Sequence, residues 1–421
     1  METALLKVNN DLLTACDQGK CAILVLLDLS AAFDTVDHTI LLERLRGRFG
    51  IQGTAFKWIK SYLSGRSNSV KIQNSKSDPH SHDYDVPQGS VLGPQLFGDY
   101  TSPLEDIMNE HSARLKPSSS DPKEDPEKDE NILGFHLYAD DNQIYVIFDP
   151  NSETSLDEAV LILEAVTADI RSWMTSNYLK LNDDKTEVLV IGSSYNLKKK
   201  VKPFKIQIGN HDIIPSLKAR NIGVEFETTL SMAPHVANCA KSLWYHLYNI
   251  SRIKQYLDQK AMETLVHALI TSKMDFCNSL LFNIPQTHLE PMERVQRAAA
   301  RMISKASKFD DALPLMQELH WLPVRQRIVF KILLLAYKSQ HNLAPEYLSD
   351  IISPYVPNRE LRSSKKCYLT PSSPKTSYGE RTFSYAAPKL WKDLPLELKQ
   401  ASTLASFKSS LKTLLFREAY L

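Results

Sequence analysis

Asp28 closes the apolar run CAILVLLD. Continuous apolar residues ending at a polar stop predict a buried strand with a carboxylate at its end. Asp140 and Asp141 lie within ILGFHLYADDNQIYVIF. Turn-forming residues between two β-rich runs predict a hairpin with both carboxylates at its tip. If the strands are sheet neighbours, three carboxylates converge. Close anions raise one another's pKa unless cations sit among them, and hard oxygen donors suit Mg²⁺. Two such ions about 3.5–4 Å apart can activate a 3′-hydroxyl and stabilise a pyrophosphate leaving group in line. That chemistry is nucleotidyl transfer. Aspartate also fills strand ends and turns for structural reasons alone, so YADD by itself does not separate a site from a turn.

The positioning elements follow from periodicity. Val36 to Phe49 predicts a helix, with Ile40, Leu41, Leu45 and Phe49 at helical spacing. Thr54 is placed to cap a second helix, TAFKWIKSYLSG. Ser69–Gln73 and Tyr84–Val86 read as paired short strands. Pro87-Gln88-Gly89 reads as a turn, and an apolar helix is expected from Ser90 to about Asn109. Residues 112–131 are rich in Pro, Ser and charge, with Leu115 the single large apolar residue, and predict a disordered surface loop. Ser155 and Glu158 have capping-box spacing ahead of a long amphipathic helix. Lys185 to Gly192, Phe204 to Ile208 and Ile213 to Val224 read as strands. Beyond Ser231 the pattern is almost wholly helical, with a looser Pro-rich stretch after Pro345 and a last helix from about Leu404 to Phe416. The fold class expected is α+β.

The 421 residues suffice for two or three domains, and 43% hydrophobic with 24% charged residues is ordinary for a globular chain. No apolar run nears the roughly 20 residues of a membrane helix. The N-terminus lacks the pattern of a signal peptide, so the protein is read as intracellular, without a membrane partner. Five cysteines with no CxxC pair argue against a disulfide framework or a zinc knuckle. The net charge of +1 hides an asymmetry: residues 231–421 carry 26 Lys and Arg against 15 Asp and Glu. A basic C-terminal half suits phosphate contact, although many of these cations also fit solvated helix faces.

ILVLLDLSAAFDTVDH, VPQGSVLGPQLF, FHLYADDNQIY and LKLNDDKTEVLVIG occur in that order. Together they resemble the palm of reverse transcriptases from LINE-type, non-LTR retrotransposons. The resemblance continues through KARNIGVEFE, RVQRAAARMI, LHWLPVRQRI, LAPEYLSDI and FSYAAPKLWKDLP. It implies a right-hand polymerase palm, an antiparallel sheet backed by helices, over residues 1–230. A helical thumb-like region follows over 231–345, and a C-terminal region over 346–421. The implied activity is RNA-directed DNA polymerisation, adding dNTPs to a DNA primer on an RNA template with two Mg²⁺ ions, or Mn²⁺.

The resemblance also implies roles. Asp28 and Asp140 bind both metals, with Asp141 as the second hairpin carboxylate and the Leu29 carbonyl as a further ligand. Phe33 stands where the family has an aromatic gate that excludes a ribonucleotide 2′-hydroxyl; a core aromatic is the other reading. Gln88 and Gly89 match the loop touching the nascent base pair. Lys185 matches a proton donor to pyrophosphate, and fits a solvated lysine as well. Asn221-Ile222-Gly223-Val224 matches the hairpin positioning the primer end. Asp34, Asp37 and His38 read as turn and helix-start residues.

Some features depart from the family. About 20 residues precede the Asp28 strand, with no motif of the fingers and no endonuclease. Asp85 replaces a small residue, and Asp99 lies in a helix that is mostly apolar in the family. These departures imply a truncated copy that binds metal and polymerises poorly, or an inactive remnant that holds nucleic acid.

Overall fold

The computed structural model describes residues 1–82, 84–87, 89–115, 132–355 and 367–421. It mixes helices with small antiparallel sheets and divides into two compact units. The first comprises Cys21–Val190 and Tyr195–Leu217. The second comprises Met1–Lys20, Ile191–Ser194 and Lys218–Leu421, so α1 (Glu2–Asp17) belongs to it.

The first unit is built on β1 (Cys21–Leu27) and β2 (Leu29–Ser30), then α2 (His38–Gly47) and α3 (Gly53–Leu63). Four short strands follow: β3 (Arg66–Asn68), β4 (Lys71–Ile72), β5 (Ser75–Lys76) and β6 (His80–His82). After α4 (Gly93–Thr101) and α5 (Pro103–Arg114) come β7 (Ile132–Tyr138), β8 (Asp141–Phe148) and α6 (Ser155–Ser176). The unit is completed by β9 (Lys180–Leu181), β10 (Glu187–Ile191), α7 (Ser194–Lys199), β11 (Ile206–Ile208) and β12 (His211–Ile213).

The main sheet has the order β10-β1-β8-β7, with β1 and β7 both antiparallel to β8. Alternation puts Cys21, Ile23, Val25 and Leu27 on one face beside Ile144, Val146 and Phe148. That face meets Leu163, Val166 and Ile170 of α6 and Phe97 and Tyr100 of α4 in one core. The other face of β1 is buried too, which explains the unbroken apolar run.

Several local expectations change. The helix expected over Ser90–Asn109 is two helices, because Pro103 cannot continue the first and instead starts the second. β3 pairs with β6 and β4 with β5, so Ser69–Gln73 does not pair with Tyr84–Val86. Gln52 rather than Thr54 is the N-cap of α3. Thr154 rather than Ser155 is the N-cap of α6, and the Ser155 hydroxyl accepts from the Asp149 amide at 3.1 Å. The loop expected from residue 112 starts later, since α5 runs to Arg114; residues 116–131 lie outside the described residues.

In the second unit β13 (Lys218–Asn221) and β14 (Val224–Glu227) form a hairpin. Helices follow: α8 (Ala233–Ile253), α9 (Gln259–Val266), α10 (Ser272–Met274), α11 (Gln286–Ile303), α12 (Ala312–Glu318), α13 (Val324–Gln340), α14 (Glu346–Ser349), α15 (Phe383–Asp393), α16 (Leu396–Lys399) and α17 (Leu404–Tyr420). Both ends of α1 are tied into this unit. Glu2 accepts from the Ser279 hydroxyl at 2.7 Å and pairs with Lys331 at 2.9 Å. Asp17 accepts from the Lys375 amide at 3.0 Å and the Thr376 hydroxyl at 2.8 Å. Burial raises the proton affinity of Asp17, but these donors, together with the Gly379 amide, outweigh it and hold its pKa down. No described helix is long and apolar enough to cross a membrane.

Candidate active site

Leu27 faces Asn142 across β1 and β8, so one step further Asp28 comes level with Asp141. Tyr138 pairs with Asp141, leaving Ala139 and Asp140 as the two-residue loop of the β7–β8 hairpin. Ala139 takes φ +53°, a left-handed conformation that costs a residue with a Cβ about 1–2 kcal/mol. The Asn142 side-chain amide supports the loop, donating to the Asp140 carbonyl at 3.3 Å.

Asp141 senses the other two aspartates. Burial is the main influence raising the pKa of Asp141, and the charges of Asp140 and Asp28 add to it. A folded-state pKa above the unfolded one means stability that is present at low pH and lost as pH rises through the raised value. Asp141→Asn is therefore expected to raise the melting temperature at neutral pH by roughly 2–4 °C, equivalent to about 1 kcal/mol in a domain of this size. The gain should vanish as pH falls to the ordinary carboxylate range. A gain that is unchanged at acid pH would show that Asp141 feels no such repulsion.

Asp28 is held at its backbone and its carboxylate. Its carbonyl accepts from the Asn182 amide at 2.9 Å, while Leu29 pairs with Leu181. Its carboxylate accepts from the Asn182 side chain at 3.4 Å and pairs with the Lys185 ammonium at 3.1 Å. Lys185 sits in a 3-10 turn, Asp183–Lys185, anchored by an ion pair from Arg171 on α6 to Asp183. The Arg171 guanidinium in turn lies over Gly209, where a Cβ would overlap it. Asn182 and Arg171 are the site-building residues that motif reading passed over. The signal was present for Asn182, which directly precedes the Asp183-Asp184-Lys185 run. None existed for Arg171, whose partner is made by the fold.

The segment before the Pro87 turn is fastened beside the Asp28 strand. The Val86 amide donates to the Phe33 carbonyl at 2.9 Å and the Asp85 amide to the Val36 carbonyl at 3.1 Å. His38 donates to the Asp85 carbonyl at 2.7 Å, and Asp37 caps α2 by accepting from the Ile40 amide at 2.9 Å. Asp85 has φ +99°, a conformation that favours glycine over any residue with a Cβ. Gly89 has φ +79° with open space where a Cβ would be, so its glycine serves the backbone conformation. Gln88 lies outside the described residues. The Phe33 ring packs against Phe97 at 4.8 Å, half-buried at the edge of the core. Asp99 is buried and accepts from Gln95 at 2.9 Å; burial raises its pKa, against that hydrogen bond.

Among the described residues, no group of three His, Cys, Asp or Glu side chains is closed into metal-holding geometry. The donor chemistry nevertheless fits a hard divalent cation. Strand register places three carboxylate-bearing residues at one sheet end, and Asp141 resists ionisation chiefly because it is buried, with the charges of Asp140 and Asp28 adding to the effect.

A model of the reverse transcriptase (RNA-dependent DNA polymerase) family matches residues 4–226, more than half of the chain, and the chain belongs to that family. The match contains Asp28, Asp140, Asp141 and Lys185. Its relatives are proteins of mobile elements, in keeping with the LINE-type resemblance. The probable RNA-directed DNA polymerase from transposon BS of Drosophila melanogaster is 28% identical over 62% of this chain and 26% of its own length. That from transposon X-element of the same species is 23% identical over 72% of this chain and 30% of its own length. The RNA-directed DNA polymerase from mobile element jockey of Drosophila funebris is 36% identical over 23% of this chain and 10% of its own length. The chain thus spans less than a third of the length of these relatives. A telomerase structure from Candida albicans aligns with 79% of this chain and 52% of its own, at 13% identity and a TM-score of 0.33, too low to carry a statement about the fold.

Proposed function

We propose that the first unit is the right-hand palm of an RNA-directed DNA polymerase that adds dNTPs to a DNA primer on an RNA template. One observation carries this reading: the β1 end and the β7–β8 tip bring Asp28 level with the Asp140-Asp141 pair. Asp28 and Asp140 would hold two Mg²⁺ ions, with Asp141 and the Leu29 carbonyl in support. When bound, such ions activate a 3′-hydroxyl and neutralise the charge on a leaving pyrophosphate.

The rest falls to the chain's own groups. Asn182 fixes the Asp28 backbone, so the carboxylate projects from a rigid strand end. Lys185, already on Asp28, donates a hydrogen bond and then a proton to the departing pyrophosphate. Phe33, braced by Phe97, excludes the 2′-hydroxyl of a ribonucleotide. Gln88 and Gly89 meet the nascent pair. Helices within 231–345 act as the thumb, their cations gripping the duplex backbone.

Primer extension on an RNA template tests the reading. Product is expected with dNTPs and a divalent metal, and Asp140→Ala should remove it. Phe33→Val should admit rNTPs while leaving dNTP addition measurable. Extension that persists in Asp140→Ala would overturn the assignment.

A further inference from the structure

Helix α8 of the second unit buries Val236, Ala240, Leu243, Leu247 and Ile250. Its opposite face carries Lys241, Trp244, Tyr245, Tyr248 and Arg252, which helical spacing places on one side. Tyr245 and Tyr248 are 64% and 60% exposed, and Tyr256 just beyond the helix is 80% exposed. Arg252 lies 6.0 Å from the centre of the Tyr248 ring. No Asp or Glu occurs between Glu227 and Asp258. Exposed rings interleaved with cations, in a stretch free of carboxylates, form a surface with two requirements. The cations favour a polyanion, and the rings favour flat π-faces.

We propose that this face of α8 binds single-stranded nucleic acid, with unpaired bases stacked on Tyr245, Tyr248 and Trp244 and phosphates on Lys241 and Arg252. A duplex satisfies the charges but has no free base faces to offer, since its bases already stack on one another. An acidic partner without rings would leave the aromatics in water. A single strand meets both requirements, as stacking platforms combined with basic grooves do in general. The proposal does not rest on polymerase activity.

The test is fluorescence anisotropy of the full chain with a labelled 20-nucleotide oligouridylate and with a matched RNA–DNA hybrid, without dNTP or divalent metal. Tyr245→Ala with Tyr248→Ala should weaken single-strand binding by about tenfold per ring, toward the lower end of the range for base–aromatic stacking. The corresponding Phe double variant should stay within about twofold. Hybrid affinity should change little. Binding should quench tryptophan fluorescence, and Trp244→Phe should remove most of that quench, which places the strand on α8 even if other surfaces bind RNA. Arg252→Gln should reduce the salt slope by about one. Equal loss of hybrid and single-strand binding would overturn the proposal in favour of a duplex-contacting face. Unchanged single-strand binding by the Ala variant would also overturn it. So would a wild-type dimer that the Ala variant converts to monomer without affecting RNA, because the rings would then face a second copy.

Discussion

Asp28→Asn is expected to slow nucleotide addition by about a thousandfold or more while leaving the fold intact. The substitution keeps the size of the side chain and removes one negative charge. β1 is buried along its whole length and the Asn182 amide still binds the residue 28 carbonyl, so the strand end stays in place. Loss of a charged ligand to both proposed ions removes a term realised mainly in the transition state, and about 4 kcal/mol corresponds to about a thousandfold. Melting should be unchanged or slightly higher, since one source of repulsion on Asp141 is gone. Lys185→Ala should cost less, about a hundredfold, the scale of a positioned general acid. The measurement is single-turnover extension of a primer on RNA at saturating dNTP. If Asp28→Asn keeps a tenth of the wild-type rate, Asp28 is not a metal ligand.

Gly134→Val should destabilise the first unit by about 1–3 kcal/mol, the usual cost of overpacking. A valine in a strand normally helps, because it packs well on a pleated surface. Here the partner across the strands decides the sign. Gly134 pairs with Tyr145, and a Cβ at Gly134 would overlap the Tyr145 ring. The ring is buried, 3% exposed, so it has little room to swing away. Urea denaturation of four proteins checks this: wild type, Gly134→Val, Tyr145→Ala and the double variant. In the Tyr145→Ala background the valine should be neutral or stabilising, a coupling of neighbours in contact. Additive losses would mean that the ring does not occupy the space above Gly134. Because β7 leads into the Asp140 loop, Gly134→Val should also depress extension.

The sequence by itself determined the strand ending at Asp28 and the hairpin bearing Asp140 and Asp141. Both rest on short-range rules, burial of a continuous apolar run and turn chemistry between β-rich runs. The ordered motifs around them were enough to place the family. What only the tertiary structure decided are relations between distant residues. The register that sets Asp28 level with Asp141 depends on pairing strands more than 100 residues apart, and no local pattern encodes it. The same holds for Lys185 on Asp28, for the Arg171 guanidinium over Gly209, and for His38 on the Asp85 carbonyl. Helix α1 shows the limit most clearly. An amphipathic helix has to be covered on its apolar face, but amphipathicity does not name the partner. Hydrogen bonds from Ser279, Lys375 and Thr376 to its terminal carboxylates tie it to segments that follow it by hundreds of residues. Local sequence sets what each segment wants to bury or bond. Which groups meet that demand is settled by long-range packing, where the same apolar face or carboxylate has many chemically equivalent partners to choose from.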